Sequence, residues 1–162
     1  MSSKASESRF DLVPEVQEIL KADTPRAELL KNFLRFANAL AAKDSSAIDE
    51  VIHADARFHE LEAAEYPRGP EGFRKFRRAM NAAFPDQRAA VTAVRFDGDD
   101  IIEVDLDSTA THQGEFWGIP ATGRTVRFWI HTRDRFVDGK LLERWDRADI
   151  DDLMRQLRGE AS

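Results

Sequence analysis

The stretch of residues 111–149 constrains the fold most, because it reads as a loop followed by two long strands that a tight turn joins. The turn is Asp138-Gly139, and Asp-Gly between two extended runs is among the strongest short-range signals for a β-hairpin. Such turns need residues that tolerate positive φ, which favours Asp and Gly. We therefore predict that a hairpin ends the sheet and that a short helix over residues 150–157 closes the chain.

The chain upstream of this hairpin supplies helices and a second pair of strands. A period of about 3.6 residues predicts helices before Pro85, and the period then changes to about 2. The predicted helices lie within residues 10–20, from Thr24-Pro25 to about residue 42, over a short stretch capped by Asp44-Ser45, and over residues 69–84. The predicted strands are 88–97, 101–112, 124–136 and the one after Gly139, whereas residues 53–68 have no regular period. This order predicts an α+β protein with a four-stranded antiparallel sheet.

Composition limits the classes of protein to which the chain can belong. Its 162 residues suffice for one domain, so we expect residues 9–162 to form that domain and the polar residues 1–8 to be disordered. A net charge of −6 argues against nucleic acid or an anionic membrane as partner, and zero cysteines exclude disulfides and thiolate chemistry. No apolar run approaches the roughly 18 residues of a membrane span, and the N-terminus lacks the apolar core of a signal peptide. We expect a soluble, cytoplasmic protein.

Two neighbouring strands carry opposite charges on one of their faces, and these charges predict which face is covered. This face carries Glu103, Asp105 and Asp107 on one strand and Arg127, Trp129, His131, Arg133 and Arg135 on the next, all of them polar or charged except Trp129. Opposite charges across strands are favourable and cheap in contact with water, so this face is predicted to be the outer one. The inner face then carries Val126, Phe128, Ile130 and Thr132.

The length of the turn at Gly139 decides where Asp146 points. A two-residue loop would pair His131 with Asp146 on the outer face and stack Arg133 on Arg144. A three-residue loop with Gly139 in a bulge avoids that stack, and we favour it. It pairs Ile130 with Asp146, Thr132 with Arg144 and Arg133 with Glu143, which brings Leu142, Arg144 and Asp146 to the inner face.

The inner face then holds few ionisable groups, namely His112, Asp134, Arg144 and Asp146. Buried charges are costly unless they are paired or functional. Two interpretations remain open at this point. Arg144 and Asp146 form either a structural ion pair or part of a catalytic site.

Several motifs resemble the SnoaL-like polyketide cyclase/ester cyclase family. The central motif is Thr111-His112-Gln113-Gly114-Glu115-Phe116 followed by Gly118-Ile119-Pro120-Ala121-Thr122-Gly123-Arg124. The resemblance is supported by three further motifs: Gly69-Pro70-Glu71-Gly72-Phe73, Ala83-Phe84-Pro85-Asp86, and Asp138-Gly139-Lys140 with Glu143 and Trp145. The resemblance covers roughly residues 27–157. It implies the nuclear transport factor 2-like fold, a curved antiparallel sheet wrapped by N-terminal helices into a cone around a central pocket.

The resemblance also implies roles for particular residues. In the cyclases an aspartate near the end of the last strand is the general acid/base, and Asp146 holds that place. Asp149 matches a second acidic position of the family, and His59 matches a family histidine. The candidate catalytic residues are therefore Asp146, Arg144 and His59. The candidate substrate-binding residues are Phe58, His112, Phe116, Trp117, Phe128, Thr132, Asp134 and Asp149.

Three positions depart from the family's pattern. Thr132 stands where the cyclases have His, Asp134 replaces an apolar residue, and Arg144 stands where relatives often have His. The pocket is therefore expected to accept a different substrate. His53 and His59 have no third ligand in view, so we expect neither a metal nor another cofactor.

Three functions fit these observations. The first is metal-free acid/base ring closure of the intramolecular aldol type, or related lyase or isomerase chemistry, on a small apolar polyketide-like substrate. The second is a non-catalytic module that binds a hydrophobic ligand or serves dimerisation. The third is water activation by Asp134, Arg144 and Asp146, a grouping that resembles the one in epoxide hydrolases of this fold. Trp129 and Trp145, aromatic residues among charges, further predict a homodimer through the outer sheet face.

Overall fold

The computed structural model describes residues 10–41 and 45–160, so the expectations for residues 1–8 and for a cap at Asp44 lie outside the described residues. Within them the strands are β1 (Phe10–Leu12), β2 (Ile52–Phe58), β3 (Arg88–Asp97), β4 (Ile101–Thr111), β5 (Thr125–Val137) and β6 (Lys140–Ala148). The α-helices are α1 (Pro14–Leu20), α2 (Pro25–Ala41), α3 (Ile48–Val51), α4 (His59–Ala63), α5 (Gly69–Ala83) and α6 (Ile150–Leu157), with a 3-10 turn at Ser45–Ala47. The predicted α+β class is confirmed.

The strands form one curved, open sheet in the order β1-β3-β4-β5-β6-β2. The antiparallel run from β3 to β6 is as predicted. The count of four strands is wrong, because β1 and β2 add to the two edges in parallel with β3 and β6. Both edge strands are short and include exposed charges such as Asp11, Asp55 and Arg57. An edge strand has one strand neighbour and tolerates such residues, so it does not show a regular apolar alternation.

The helices cover one face of this sheet and exclude water from it. Thr24 accepts a hydrogen bond from the Ala27 backbone N–H at 3.1 Å, and Pro25 follows it, so α2 begins as predicted. The main core joins helical Leu30, Phe33, Phe36 and Phe73 to strand residues Ile102, Val104 and Leu141. A second apolar cluster comprises Ala83, Phe84, Ala110, Phe116, Val126, Phe128, Leu153 and Leu157. None of the described helices is long and apolar enough to cross a membrane.

The β5–β6 hairpin differs from the predicted register. Its turn has two residues, Asp138 and Gly139, both at positive φ, and Val137 pairs with Lys140. A two-residue turn of this kind matches the twist of the strands. The unpaired residue that the prediction placed in the turn is found within β6 instead, as a bulge at Leu142. Leu141 is consequently the fully buried residue, and Leu142 is half-buried.

The bulge shifts the pairs by two positions relative to the prediction. Thr132 lies opposite Asp146, Asp134 opposite Arg144, and Arg135 opposite Glu143. The three pairs predicted for a three-residue loop, in which Ile130, Thr132 and Arg133 would face Asp146, Arg144 and Glu143, are therefore wrong. Beyond the bulge, however, a shift of two keeps every side chain on its predicted face, because the side-chain period of a strand is two.

The predicted faces are confirmed by the pairing and the burial. Outside, His131 lies opposite Asp105 on β4 and Arg147 on β6, and its Nδ1 is 2.6 Å from an Asp105 carboxylate oxygen. Inside, Thr132 and Asp134 are at most 1% exposed. Charge and apolar surface are thus separated by the sheet.

The bulged register can be tested with two adjacent leucines. Leu141→Ala should lower the free energy of unfolding by about 2–5 kcal/mol, because it leaves a cavity at a fully buried position. Leu142→Ala, at the half-buried bulge, should cost no more than roughly 1.5 kcal/mol. Urea unfolding of both variants measures the two losses. A larger loss for Leu142→Ala would support the three-residue loop instead.

Candidate active site at the end of the closing strand

A buried ion pair joins β5 to β6. The Arg144 guanidinium donates to both Asp134 carboxylate oxygens, at 2.7 Å from Nε and 2.8 Å from Nη2, and Asp134 has no exposed surface. The Arg144 guanidinium also lies 4.7 Å from the centre of the Phe36 ring. This two-point geometry is the favourable one for a buried carboxylate. The structural ion pair considered for Arg144 and Asp146 is therefore an Arg144–Asp134 pair, because the register places these two residues opposite each other.

Asp146 lies on the same face as this pair, two residues beyond Arg144. Its carboxyl is half-buried, and burial raises its pKa above the usual value. Arg144 opposes this effect, whereas the negative charges of Asp134 and Glu60 add to it. A carboxyl group whose pKa is raised is a stronger base than an ordinary one, which suits it to acid/base chemistry.

Thr132 lies directly opposite Asp146, at 1% exposure. Its hydroxyl has no hydrogen-bond partner among the described residues. A buried hydroxyl without a partner costs stability. It is therefore an unsatisfied polar group next to Asp146.

Asp146 also borders an open cleft of about 400 Å³, which we call the edge cleft. The edge cleft is lined by Glu60, Glu103, His131, Arg133, Trp145, Asp146 and Arg147. Five of these belong to the outer face of the sheet, so Asp146 meets the cleft at the edge of the sheet. The pairing of β2 with β6 ends at Phe58 and Arg144, so at Asp146 the β2 side of β6 has no strand neighbour. A larger cleft, of about 640 Å³, adjoins β3 and holds none of the predicted site residues, so we place the candidate site at the edge cleft.

Glu60 is the residue of α4 at the edge cleft, and sequence reasoning missed it. It lies in the first turn of α4, in a stretch that shows no regular period in the sequence. Without a period the stretch could not be assigned a face. The signal that was available is its position directly after Phe58-His59, two residues already predicted to belong to the site.

The two histidines among the candidates do not join Asp146. The His59 Nε2 is 2.8 Å from a Glu143 carboxylate oxygen, and the His59 ring stacks on Trp145 at 4.8 Å. Glu143 and Trp145 alternate with Arg144 and Asp146, so they face the other side of the sheet. His112 is fully buried in the second apolar cluster, where its Nδ1 accepts a hydrogen bond from the Thr122 backbone N–H at 3.2 Å.

The remaining candidates divide between the core and the surface. Phe58 is buried and pairs with Arg144 across β2 and β6, which places it beside the ion pair. Phe116 and Phe128 belong to the second apolar cluster, and Trp117 is 65% exposed and stacked on Phe116. The Asp149 side chain accepts a hydrogen bond from the Asp152 backbone N–H at 3.0 Å and so caps α6. The structure thus brings together Asp146, Arg144, Asp134, Thr132 and Phe58.

The raised pKa of Asp146 predicts how the stability of this site depends on pH. The folded chain holds the Asp146 proton to higher pH than the unfolded chain does. The stabilisation that the folded chain gains by holding this proton is therefore complete below the unfolded pKa of about 4. It is lost as the pH rises through the folded pKa. Asp146→Asn cannot ionise, so its free energy of unfolding relative to wild type should rise between about pH 4 and pH 8. Urea unfolding across this range measures the change.

Asp107→Asn is the matched control on the outer face. A hydrogen bond from Arg127 lowers the pKa of Asp107, so its contribution is present above the unfolded pKa and is lost as the pH falls. Its deficit relative to wild type should therefore be complete by about pH 4 and should stay constant from there to pH 8. A flat difference for Asp146→Asn over the range would contradict the raised pKa.

Comparison with known proteins connects this site to a family. Residues 31–157 match the family model described as SnoaL-like polyketide cyclase. Among curated proteins, none matches the chain significantly.

Solved structures share the fold over most of the chain. TsrD from Streptomyces laurentii is 25% identical with a TM-score of 0.72, and the match covers 82% of this chain and 96% of TsrD. AclR from Streptomyces galilaeus, a proposed hydroxylase, is 28% identical with a TM-score of 0.68 and 84% coverage of each chain. IdmH from Streptomyces antibioticus, a proposed polyketide cyclase, is 28% identical with a TM-score of 0.68, and the match covers 80% of this chain and 98% of IdmH. These neighbours have the nuclear transport factor 2-like cone fold, and the predicted resemblance is confirmed. The chain belongs to the SnoaL-like polyketide cyclase family.

Proposed function

We propose that the protein catalyses acid/base ring closure of a small, apolar, polyketide-like molecule, with Asp146 as the general base and acid. The main support is the position of Asp146: its half-buried carboxyl shares a strand face with Arg144 and Asp134 and also borders the edge cleft. Family membership supports cyclase chemistry in general. The proposed substrate binds beside Asp146, where the Thr132 hydroxyl has no protein partner.

In the proposed reaction Asp146 takes one proton from the substrate and later returns it. The Asp146 carboxylate removes a proton from a carbon next to a carbonyl group, and the resulting enolate carbon attacks a second carbonyl carbon of the same molecule. A C–C bond forms, the carbonyl π electrons move to oxygen, and the Asp146 carboxylic acid returns the proton to that oxygen. No net proton or electron is consumed.

Arg144 modulates this base without quenching it. A guanidinium aimed at Asp146 alone would lower the carboxyl pKa and weaken the base. Here both oxygens of Asp134 already bind the Arg144 guanidinium, and the net effect of its surroundings is to raise the pKa of Asp146. The ion pair therefore contributes position and shape, while burial supplies the basicity.

A second candidate function is favoured by the same ion pair. The sequence of groups Asp134, Arg144 and Asp146 along one face could orient and activate a water molecule for attack on an epoxide. The two reactions differ in their product, because water activation adds one solvent oxygen and ring closure adds none. Mass analysis of products formed in ¹⁸O-labelled water distinguishes them.

The proton transfer is tested by replacing its carrier. Asp146→Asn keeps the shape of the side chain but cannot exchange the proton, so turnover should fall by roughly 10²–10⁴ while ligand affinity stays within a few-fold. Turnover is measured with a linear poly-β-keto ester that has an acidic CH₂ group and an internal ketone. Asp107→Asn, an outer-face carboxylate paired with Arg127, is the control and should keep the wild-type rate.

Two outcomes would count against this proposal. A full rate in Asp146→Asn would remove Asp146 from the chemistry. Binding of the keto ester by wild type without turnover would leave the non-catalytic binding module as the function.

We further propose that two copies associate through the outer sheet face. Trp129 lies there among charged neighbours and is 49% exposed. Trp145 is a weaker anchor than expected, because His59 stacks on it and leaves it half-buried. Exposed tryptophans among polar neighbours are typical of the anchors of protein interfaces.

Sedimentation tests the dimer with a matched pair of tryptophans. Wild type should sediment as a dimer, and Trp129→Asp should sediment as a monomer because a charge replaces the proposed anchor. Trp117→Asp changes another exposed tryptophan, on the loop between β4 and β5, and should remain dimeric. A monomeric wild type, or equal dissociation of both variants, would contradict this interface.

A further inference from the structure

The end of β2 creates an opening beside Asp146. The pairing of β2 with β6 stops at Phe58 and Arg144, and α4 begins at the next residue of the chain. The helix brings Glu60 to the edge cleft, which Asp146 also borders. One carboxylate therefore comes from the helix and the other from the strand, at the same opening.

Glu60 carries a charge that no neighbour neutralises. It is exposed, and its side chain forms no ion pair or hydrogen bond within the described residues. Glu62, two positions further along, contrasts with it because Arg57 and Arg68 bind its carboxylate at 2.8 and 3.1 Å. Of these two carboxylates of α4, Glu60 is thus the one free to act on another group.

Several charges face Asp146, and they differ in how far they are already paired. Arg144 comes from the same strand and Asp134 from β5, and these two bind each other through two hydrogen bonds. Around the edge cleft lie Glu103 on β4, His131 and Arg133 on β5, Arg147 on β6 and Glu60 on α4. His131 and Arg133 both contact Glu103, at 3.3 and 3.4 Å. Among the described residues Arg147 and Glu60 form no ion pair, so apart from Asp146 they are the two unpaired charges of the cleft, and Glu60 is the negative one.

We propose that Glu60 is a positioning residue that increases the proton affinity of Asp146 across the edge cleft. This inference rests on the proposed function, in which Asp146 is the base. The negative charge of Glu60 disfavours a second negative charge on Asp146, so Asp146 holds its proton more firmly and is the stronger base. The direction agrees with the raised pKa of Asp146, to which burial contributes most and Glu60 adds.

Nuclear magnetic resonance of the carboxyl carbons tests this coupling without any substrate. The protein is labelled with ¹³C at its aspartate carboxyls, and Asp146→Asn identifies the Asp146 signal by its loss. Glu60→Gln should move the titration midpoint of Asp146 to lower pH. Glu62→Gln, which removes a carboxylate of the same helix that is already bound, should move it less, and Glu60→Asp should retain most of the wild-type midpoint.

Salt provides an independent measurement on the unmutated chain. The Debye length falls from about 10 Å at 0.1 M salt to about 3 Å at 1 M, so salt screens an exposed charge strongly. The Asp146 midpoint should therefore fall with added salt further in wild type than in Glu60→Gln. Equal midpoints in Glu60→Gln and Glu62→Gln, or an equal response to salt in wild type and Glu60→Gln, would overturn the proposal. Loss of turnover in Asp146→Asn does not depend on these titrations, so the two proposals can fail separately.

Discussion

The bidentate bond between Asp134 and Arg144 is the interaction on which the rest of the site depends. It lies between neighbouring strands, so it requires one register of the β5–β6 hairpin and no other. Breaking a buried pair leaves an uncompensated charge, at a cost of roughly 3–5 kcal/mol, so a slipped register would be strongly disfavoured. By occupying Arg144, this bond also leaves Asp146 without a hydrogen-bonded cation.

The two faces of the sheet differ in how their charged side chains are solvated. On the outer face the charges of β3, β4 and β5 meet in water, where each pair contributes little to stability and the whole ladder keeps the face polar. On the inner face a few charges lie among aromatic and aliphatic side chains, where desolvation is costly and pairing has to be close. A carboxyl such as Asp146, covered but not paired, lowers stability at neutral pH. This compromise is typical of sites where function requires a reactive group.

The candidate site could be predicted from sequence only where strand alternation reaches it. Asp146, Arg144, Asp134 and Thr132 belong to two long strands, so their shared face follows from the period of two. His59 was assigned to the site by resemblance, yet it lies against Glu143 and Trp145 on the other side of β6. Its place depends on how β2 ends and α4 begins, which no local pattern encodes. The same junction brings Glu60 to the edge cleft.

The sequence by itself determined the class of the fold, the order of the long elements and the face of each residue in β4 and β5. These follow from local physics, because helix caps, the Asp138-Gly139 turn and the alternation of side chains act over a few residues. The tertiary structure decided the bulge at Leu142, the edge strands β1 and β2 and the partner of Arg144. Each of these depends on the free energy of contacts between segments far apart in the chain. A hairpin can place its extra residue in the turn or beyond it at similar local cost, and the burial of Leu141 together with the Asp134–Arg144 bond selects between the two.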